Sequence, residues 1–345
     1  DTILVPTFRP DLEHKADIAE EIARFYGYNR IPSTPLRGNA QGKYTPRQKF
    51  EDKISNTMLA LGLSEIMTYS FLSPKAYDKI GMPEQDCLRN SVIISNPLGE
   101  DTSIMRTTAL PSMLDTLARN YNNRNGAVAL FELASEYYPV EGQELPDEKT
   151  KLIAGLYGDD CDFFTAKGMV EQLLDTLFIS NYEFESSSDE YAYHPGRCAH
   201  IMIDDTVIGV IGEIHPKVAE NYGINERILC FTLDVDSLFA HTQTNATYTP
   251  LPKFPAVTRD LALICDEIIP VRMLEKAITK GAGNLLETIQ LFDVYQGEQI
   301  ESGKKSVAFN IVLRSAENTL AEEQVNSTMK KVMKELEKVG ASLRV

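Results

Sequence analysis

The sequence contains no CxxC pair, no HExxH, no GxSxG and no apolar run long enough to cross a membrane. Each absence removes a class of function. The five cysteines, Cys87, Cys161, Cys198, Cys230 and Cys265, are odd in number and widely spaced; they suit neither a disulfide framework nor a zinc site and are expected as buried thiols. His194, His200 and His215 come nearest to a histidine cluster, yet no ligand spacing joins them and metal ligation there is not expected. Without a nucleophile elbow, acyl-enzyme chemistry has no support. With no stretch of about 18 apolar residues and no basic-then-apolar leader before Asp1, a cytoplasmic protein without membrane association is expected.

Basic residues are scarce as well: 34 Lys and Arg face 50 Asp and Glu, a net charge of -16. That sign argues against nucleic-acid binding until it is divided along the chain. From Pro252 onward there are 13 basic and 13 acidic residues, while residues 1–251 carry 21 and 37. The C-terminal piece is therefore neutral and free to present a basic face. A chain of 345 residues with 43% hydrophobic and 24% charged residues supports two or three domains with real cores.

What is present is most pointed in residues 9–32, RPDLEHKADIAEEIARFYGYNRIP. Asp17, Glu20 and Glu21 stand at i, i+3 and i+4, on one face of a helix, and Asp11 precedes them in a loop that can fold back. Repulsion of about 0.2 to 0.5 kcal/mol per pair is relieved by a hard dication with oxygen ligands, for which magnesium is the natural candidate. Acids in a first turn also complement the helix dipole with nothing bound. Phe25, Tyr26, Tyr28 and Ile31 form the side on which this helix is expected to pack.

Residues 252–345 have their own period. Asp260–Cys265 reads as a strand, Pro270 as the first residue of a helix through Lys280 ended by Gly281 and Gly283, and 288–295 and 305–313 as two more strands. Thr319 and Glu322 make a capping box for a long helix carrying Val325, Met329, Val332, Met333 and Leu336. ASLRV closes the series. The order βαββαβ is a ferredoxin-like sandwich, with Phe254 and Phe309 assigned to its core.

Three stretches then resemble one family. RPD, six residues to Asp17 and AEEIARFYGYNRIP are similar to the closing half of the B5 domain of the phenylalanyl-tRNA synthetase beta subunit. FPAVTRDLAL, LFDVYQGEQIESGKKSVAFNIVLR and LAEEQVN resemble its ferredoxin-fold anticodon-binding domain. The helix FEDKISNTMLALGLSEIMTYSF, MRTTALPSMLDTLARNYNN, ALFELASEYYP and HPGRCAHIMIDDTVIGVIGEIHPKVAENYGI resemble its class II synthetase-like core. The resemblance implies an α+β chain: part of B5 over 1–38, a class II synthetase-like antiparallel-sheet core over 43–246 and a ferredoxin-like domain over 252–345. It implies that Asp11, Asp17, Glu20 and Glu21 bind Mg2+ near an alpha-subunit contact, and that Lys253, Arg259, Lys276, Lys280, Lys304, Lys305 and Arg314 are the candidates for holding tRNA(Phe).

An active class II core needs an arginine and a glutamate in a strand-loop-strand that hold ATP, and a later glycine-rich strand and helix ending in arginine. Arg106 and Glu132 echo the first; the second is missing after Gly223. The expected role is thus that of a beta subunit of phenylalanine-tRNA ligase, in an alpha2beta2 heterotetramer whose aminoacylation site lies on the alpha subunit. Because Asp1 falls inside B5, the chain is expected to lack the family's editing domain and to homodimerise through exposed apolar surface when isolated. A freestanding tRNA-binding scaffold derived from such a subunit is the alternative.

Overall fold

The computed structural model describes residues 2–35, 38, 42–243, 248, 250–297 and 299–344. The domain limit expected at residue 246 and the end of ASLRV at Val345 lie outside the described residues. The chain divides into two compact units, Asp1–Ala246 and Thr247–Val345.

The first unit begins with α1 (Lys15–Tyr26), which ends at Gly27, where φ is 101°. No residue of α1 is buried. Phe25, Tyr26, Tyr28 and Ile31 are exposed, so the expected packed side has no cover among the described residues. α2 (Pro46–Ala60) starts on a reciprocal capping box, in which Thr45 N–H donates to Gln48 Oε1 at 2.9 Å and Gln48 N–H donates to Thr45 Oγ1 at 3.2 Å. The helix expected through residue 71 stops early, because Gly62 takes φ 90° and turns the chain into β1 (Ser64–Glu65).

β2 (Phe71–Leu72), α3 (Lys75–Lys79), β3 (Ile104–Met105), α4 (Leu110–Asn122), β4 (Val128–Tyr138), β5 (Asp147–Tyr157), α5 (Phe163–Thr176), β6 (Tyr182–Ser186), β7 (Tyr193–Ile203), β8 (Thr206–Ile214), α6 (Pro216–Asn221), β9 (Leu229–Asp234) and α7 (Val235–His241) follow. Seven strands form one sheet in the order β1-β4-β5-β9-β8-β7-β6, with β1 parallel to β4 and every other neighbour antiparallel. Alternate side chains of its central strands serve two cores. Leu130, Ala134, Ile153 and Cys230 pack with α3 and α4; Phe131, Leu152, Ala154 and Phe231 pack with α2, α5 and α7. Gly155 sets the approach of α4: a Cβ there would stand 2.7 Å from Leu117 Cδ1 and 2.8 Å from Met113 Cγ. Asp162, exposed to solvent, caps α5 by accepting from Thr165 N–H at 2.8 Å.

In the second unit, β10 (Val257–Asp266), α8 (Val271–Ala282), β11 (Leu286–Tyr295), β12 (Lys304–Leu313), α9 (Glu322–Lys338) and β13 (Ser342–Leu343) form the expected βαββαβ order. The antiparallel sheet runs β11-β12-β10-β13. Phe309 is fully buried, as expected, and Phe254 half-buried. Two helix limits differ. Gly281 lies inside α8 because it lets the backbones meet: a Cβ would fall 2.5 Å from Val332 Cα, and α8 gives way to Gly283, with φ 58°, rather than stopping at Gly281. α9 is capped at Ala321, whose N–H donates to Gln324 Oε1 at 3.0 Å, not by Thr319 and Glu322. Among the described residues no helix is long and apolar enough to cross a membrane.

Candidate functional site

Two of the four acids of the first segment, Asp11 and Glu21, are joined by one arginine, and Asp17 and Glu20 stand apart from them. Arg9, brought round by a turn in which its N–H donates to Pro6 O at 3.0 Å, places Nη2 2.6 Å from Asp11 Oδ2 and 2.7 Å from Glu21 Oε1. Its Nε donates to both Asp11 oxygens at 3.0 and 3.1 Å. Arg24 closes on Glu21 Oε2. Asp17 folds back on the helix start, where Oδ2 accepts from His14 N–H at 2.7 Å and Glu13 N–H at 2.9 Å. Glu20 has no partner among the described residues.

These bonds hold Asp11 low through Arg9, bring Glu21 down to about 2 through Arg9 and then Arg24, and lower Asp17 through the His14 and Glu13 amides. The donor chemistry suits a hard dication but the arrangement does not. No group of three or more His, Cys, Asp or Glu among the described residues is placed to hold a metal ion. The positive charge beside Asp11 and Glu21 is supplied by two arginines of the same segment, Arg9 and Arg24.

Arg106 and Glu132 do meet, and they are buried, 2% and 4% exposed. Arg106 Nη2 donates to Glu132 Oε1 at 3.1 Å, Nη1 to Thr68 Oγ1 at 2.7 Å and Nε to Ser135 O at 2.8 Å. Thr68 Oγ1 donates in turn to Glu132 Oε2 at 2.7 Å. Further along β4, buried Glu136 accepts from Ala109 N–H, which starts α4, at 2.8 Å and from Tyr138 Oη–H at 2.5 Å. Burial pushes the Glu136 carboxyl upward against the pull of these donors. Across the same sheet, Lys151 pairs with Asp234 at 2.7 Å and His200 with Glu190 at 2.9 Å around a cavity of about 480 Å³. Sequence spacing could not connect these pairs, which join residues of different strands and loops.

The seven candidate tRNA residues are dispersed. Lys253 is exposed ahead of β10, Arg259 donates to Thr258 O at 3.0 Å, and Lys276 lies on α8. Lys280 pairs with Glu335 at 3.0 Å, Lys304 with Glu301 at 2.7 Å and Arg314 with Glu287 at 2.8 Å. Lys305 is buried opposite Cys265, so its expected RNA contact is corrected by strand alternation. Phe292 on edge strand β11 escaped the sequence reading; a register shift between Leu291 and Asp293 breaks the alternation there and leaves its ring 57% exposed. The thiols divide too: Cys198, Cys230 and Cys265 are buried as expected, Cys161 is half-buried and Cys87 exposed.

Three family models match in succession: the tRNA synthetase B5 domain at residues 2–28, the phenylalanyl tRNA synthetase beta chain CLM domain at 31–235 and the ferredoxin-fold anticodon binding domain at 252–344. The phenylalanine–tRNA ligase beta subunit of Clostridium acetobutylicum is 43% identical over 99% of this chain and 43% of its own length. That of Clostridium tetani is 44% identical over 99% and 44%, and that of Carboxydothermus hydrogenoformans 41% over 99% and 44%. The chain thus spans less than half the length of these relatives. A pyrrolysyl-tRNA synthetase from Desulfitobacterium hafniense superposes with a TM-score of 0.47 at 14% identity, over 65% of this chain and 74% of that one. The chain belongs to the phenylalanyl-tRNA synthetase beta chain family, of which it carries sequence from the B5, CLM and anticodon-binding domains.

Proposed function

We propose that this chain serves a cytoplasmic phenylalanine–tRNA ligase as its partner-binding and tRNA-binding side and holds no aminoacylation site. The observation that carries this reading is the closed network of Arg106, Glu132 and Thr68. The arginine and glutamate that a class II core would turn toward ATP are spent on each other out of water, and opening the pair would strand a buried charge. Activation of phenylalanine belongs to the alpha subunit. Its docking surface is assigned to the apolar side chains around β2 and β3, where Met67, Tyr69, Ile93 and Leu98 are 96%, 83%, 79% and 100% exposed.

The second unit takes the anticodon side of tRNA(Phe). Lys253 and Arg259 answer phosphates there, and Phe292 offers a face for an unpaired base. The alpha2beta2 assembly is part of the same proposal.

Phenylalanine-dependent pyrophosphate exchange tests it. The chain alone gives none, and it co-purifies with a cognate alpha subunit unless Met67 and Leu98 are replaced by charged residues. Exchange by the isolated chain refutes the assignment.

A further inference from the structure

We propose that the cavity where α5 meets β6, β7 and β8 binds a small aromatic carboxylate, with its ring against Phe164 and its carboxylate on Arg197 and Arg227. The cavity measures about 480 Å³, within the range of about 300 to 1,000 Å³ usual for small-molecule sites. Part of its wall is aromatic. Phe163 and Phe164, the first residues of α5, stand edge to face with ring centroids 5.8 Å apart, and Phe184 of β6 lines the same space. Phe164 is 73% exposed, so a ligand ring placed on it would take apolar surface out of water and extend the edge-to-face pair.

The polar part of the lining is built on a buried acid. Glu213 of β8 is 6% exposed, and both its carboxylate oxygens accept from Arg197 Nη1 at 2.9 Å. Arg227 Nε lies 3.0 Å from Glu213 Oε2. Both arginine side chains are half-exposed. The bonds of Arg197 to Glu213 use Nη1 alone, so its Nε and Nη2, the edge that meets a carboxylate through two parallel bonds, are not spent on that acid. The backbone is shaped to this end: β7 breaks register with β8 between Tyr193 and Cys198, and Gly212 admits the irregular stretch, since a Cβ there would stand 2.7 Å from Arg197 O.

Charge then selects the ligand. The lining holds two arginines against two acids, Glu213 and Asp162, the latter bonded to Thr165 through Oδ1. A monoanion or a zwitterion meets a balanced site, whereas a phosphate dianion brings a second negative charge beside two carboxylates. A simple aromatic acid and a free aromatic amino acid share the required chemistry. The site has no residue in common with the Arg106, Glu132 and Thr68 network.

Ligand-observed NMR titration of the full chain at low salt, with phenylacetate and L-phenylalanine as probes, tests the site. Phenethylamine, which has the ring without the carboxylate, and inorganic phosphate, which has the charge without the ring, are expected to bind at least about tenfold more weakly than the better of the two acids. Phe164→Ala and Arg197→Gln are each expected to weaken that acid about tenfold. Arg227 still covers Glu213 in the second variant, and circular dichroism verifies that both fold. The two acids separate the sources: tighter binding of L-phenylalanine, lost on Asp162→Asn, assigns the site to an amino acid, and tighter binding of phenylacetate assigns it to a simple acid. Absence of binding by both acids, phosphate binding as tightly as either, or a folded Phe164→Ala or Arg197→Gln variant that binds like wild type overturns the proposal.

Discussion

The guanidinium of Arg106 meets the carboxylate of Glu132 at 3.1 Å, in a site where both side chains are almost wholly shielded from water. Removing one partner leaves the other charged, buried and unpaired. Arg106→Ala and Glu132→Ala are each expected to lower stability by about 3 to 5 kcal/mol, while Arg106→Met with Glu132→Leu costs far less because no charge is left behind. Urea unfolding of the two single variants and the double variant gives the comparison; equal losses for all three would mean that the charge is not what matters.

Glu136 should make stability depend on pH in the direction opposite to an ion-paired acid. Its folded-state carboxyl is raised by burial, so the folded protein binds its proton more tightly than the unfolded chain does. No cost exists below the ordinary carboxylate value of about 4.3; it grows as pH rises from there toward the folded value. Glu136→Gln keeps an acceptor for Ala109 N–H and removes the titration. The melting temperatures of the two proteins are expected to lie close together at about pH 4 and to separate toward neutrality, the variant being higher.

Gly281→Ala sets two effects against each other. Alanine is the better helix former by about 0.8 to 1 kcal/mol, but its Cβ would stand 2.5 Å from Val332 Cα and 2.8 Å from Val332 N. Backbone atoms do not swing aside, and overpacking of this kind costs about 1 to 3 kcal/mol. A net loss is expected, read as a lower denaturation midpoint; a gain would show that α8 and α9 can part freely.

Lys253 is exposed and Lys305 buried, which separates two of the proposed tRNA contacts. Lys253→Ala in the assembled ligase is expected to weaken tRNA binding and to reduce the slope of log affinity against log salt by about 1. Lys305→Met leaves both unchanged, because that side chain is buried within the sheet's pairing with β10. Filter binding at several salt concentrations separates them, and an equal change in slope for both would withdraw the structural distinction.

The two folds were legible where a period was long. Val307, Phe309, Ile311 and Leu313 alternate over a whole strand, and the apolar stripe of α9 repeats along the helix, so both elements lie where the pattern puts them. Limits set by tertiary contact were not. Gly281 reads as a helix stop on propensity and is instead a contact point, and Thr319 offers a better cap chemistry than Ala321 but stands too early in the chain. The acidic helix shows the same divide. Spacing put Asp17, Glu20 and Glu21 on one helix face with Asp11 within reach, whereas finding Arg9 between Asp11 and Glu21 required the turn that brings residue 9 beside residue 21. Phe292 was hidden because a bulge, invisible in a pattern of twos, sets its direction.

The Leu152–Leu156 stretch of β5 is hydrogen-bonded to β4 on one side and β9 on the other, and covered on both faces where Gly155 admits α4. Water has no short route to its amides. Among the described residues, α1, with no buried residue, has only its own hydrogen bonds and surface ion pairs to slow its opening. The first unit is therefore a clock with widely separated hands: protons on α1 exchange with solvent on the timescale of a fraying helix, and those on Leu152–Leu156 wait for the whole sheet to come apart.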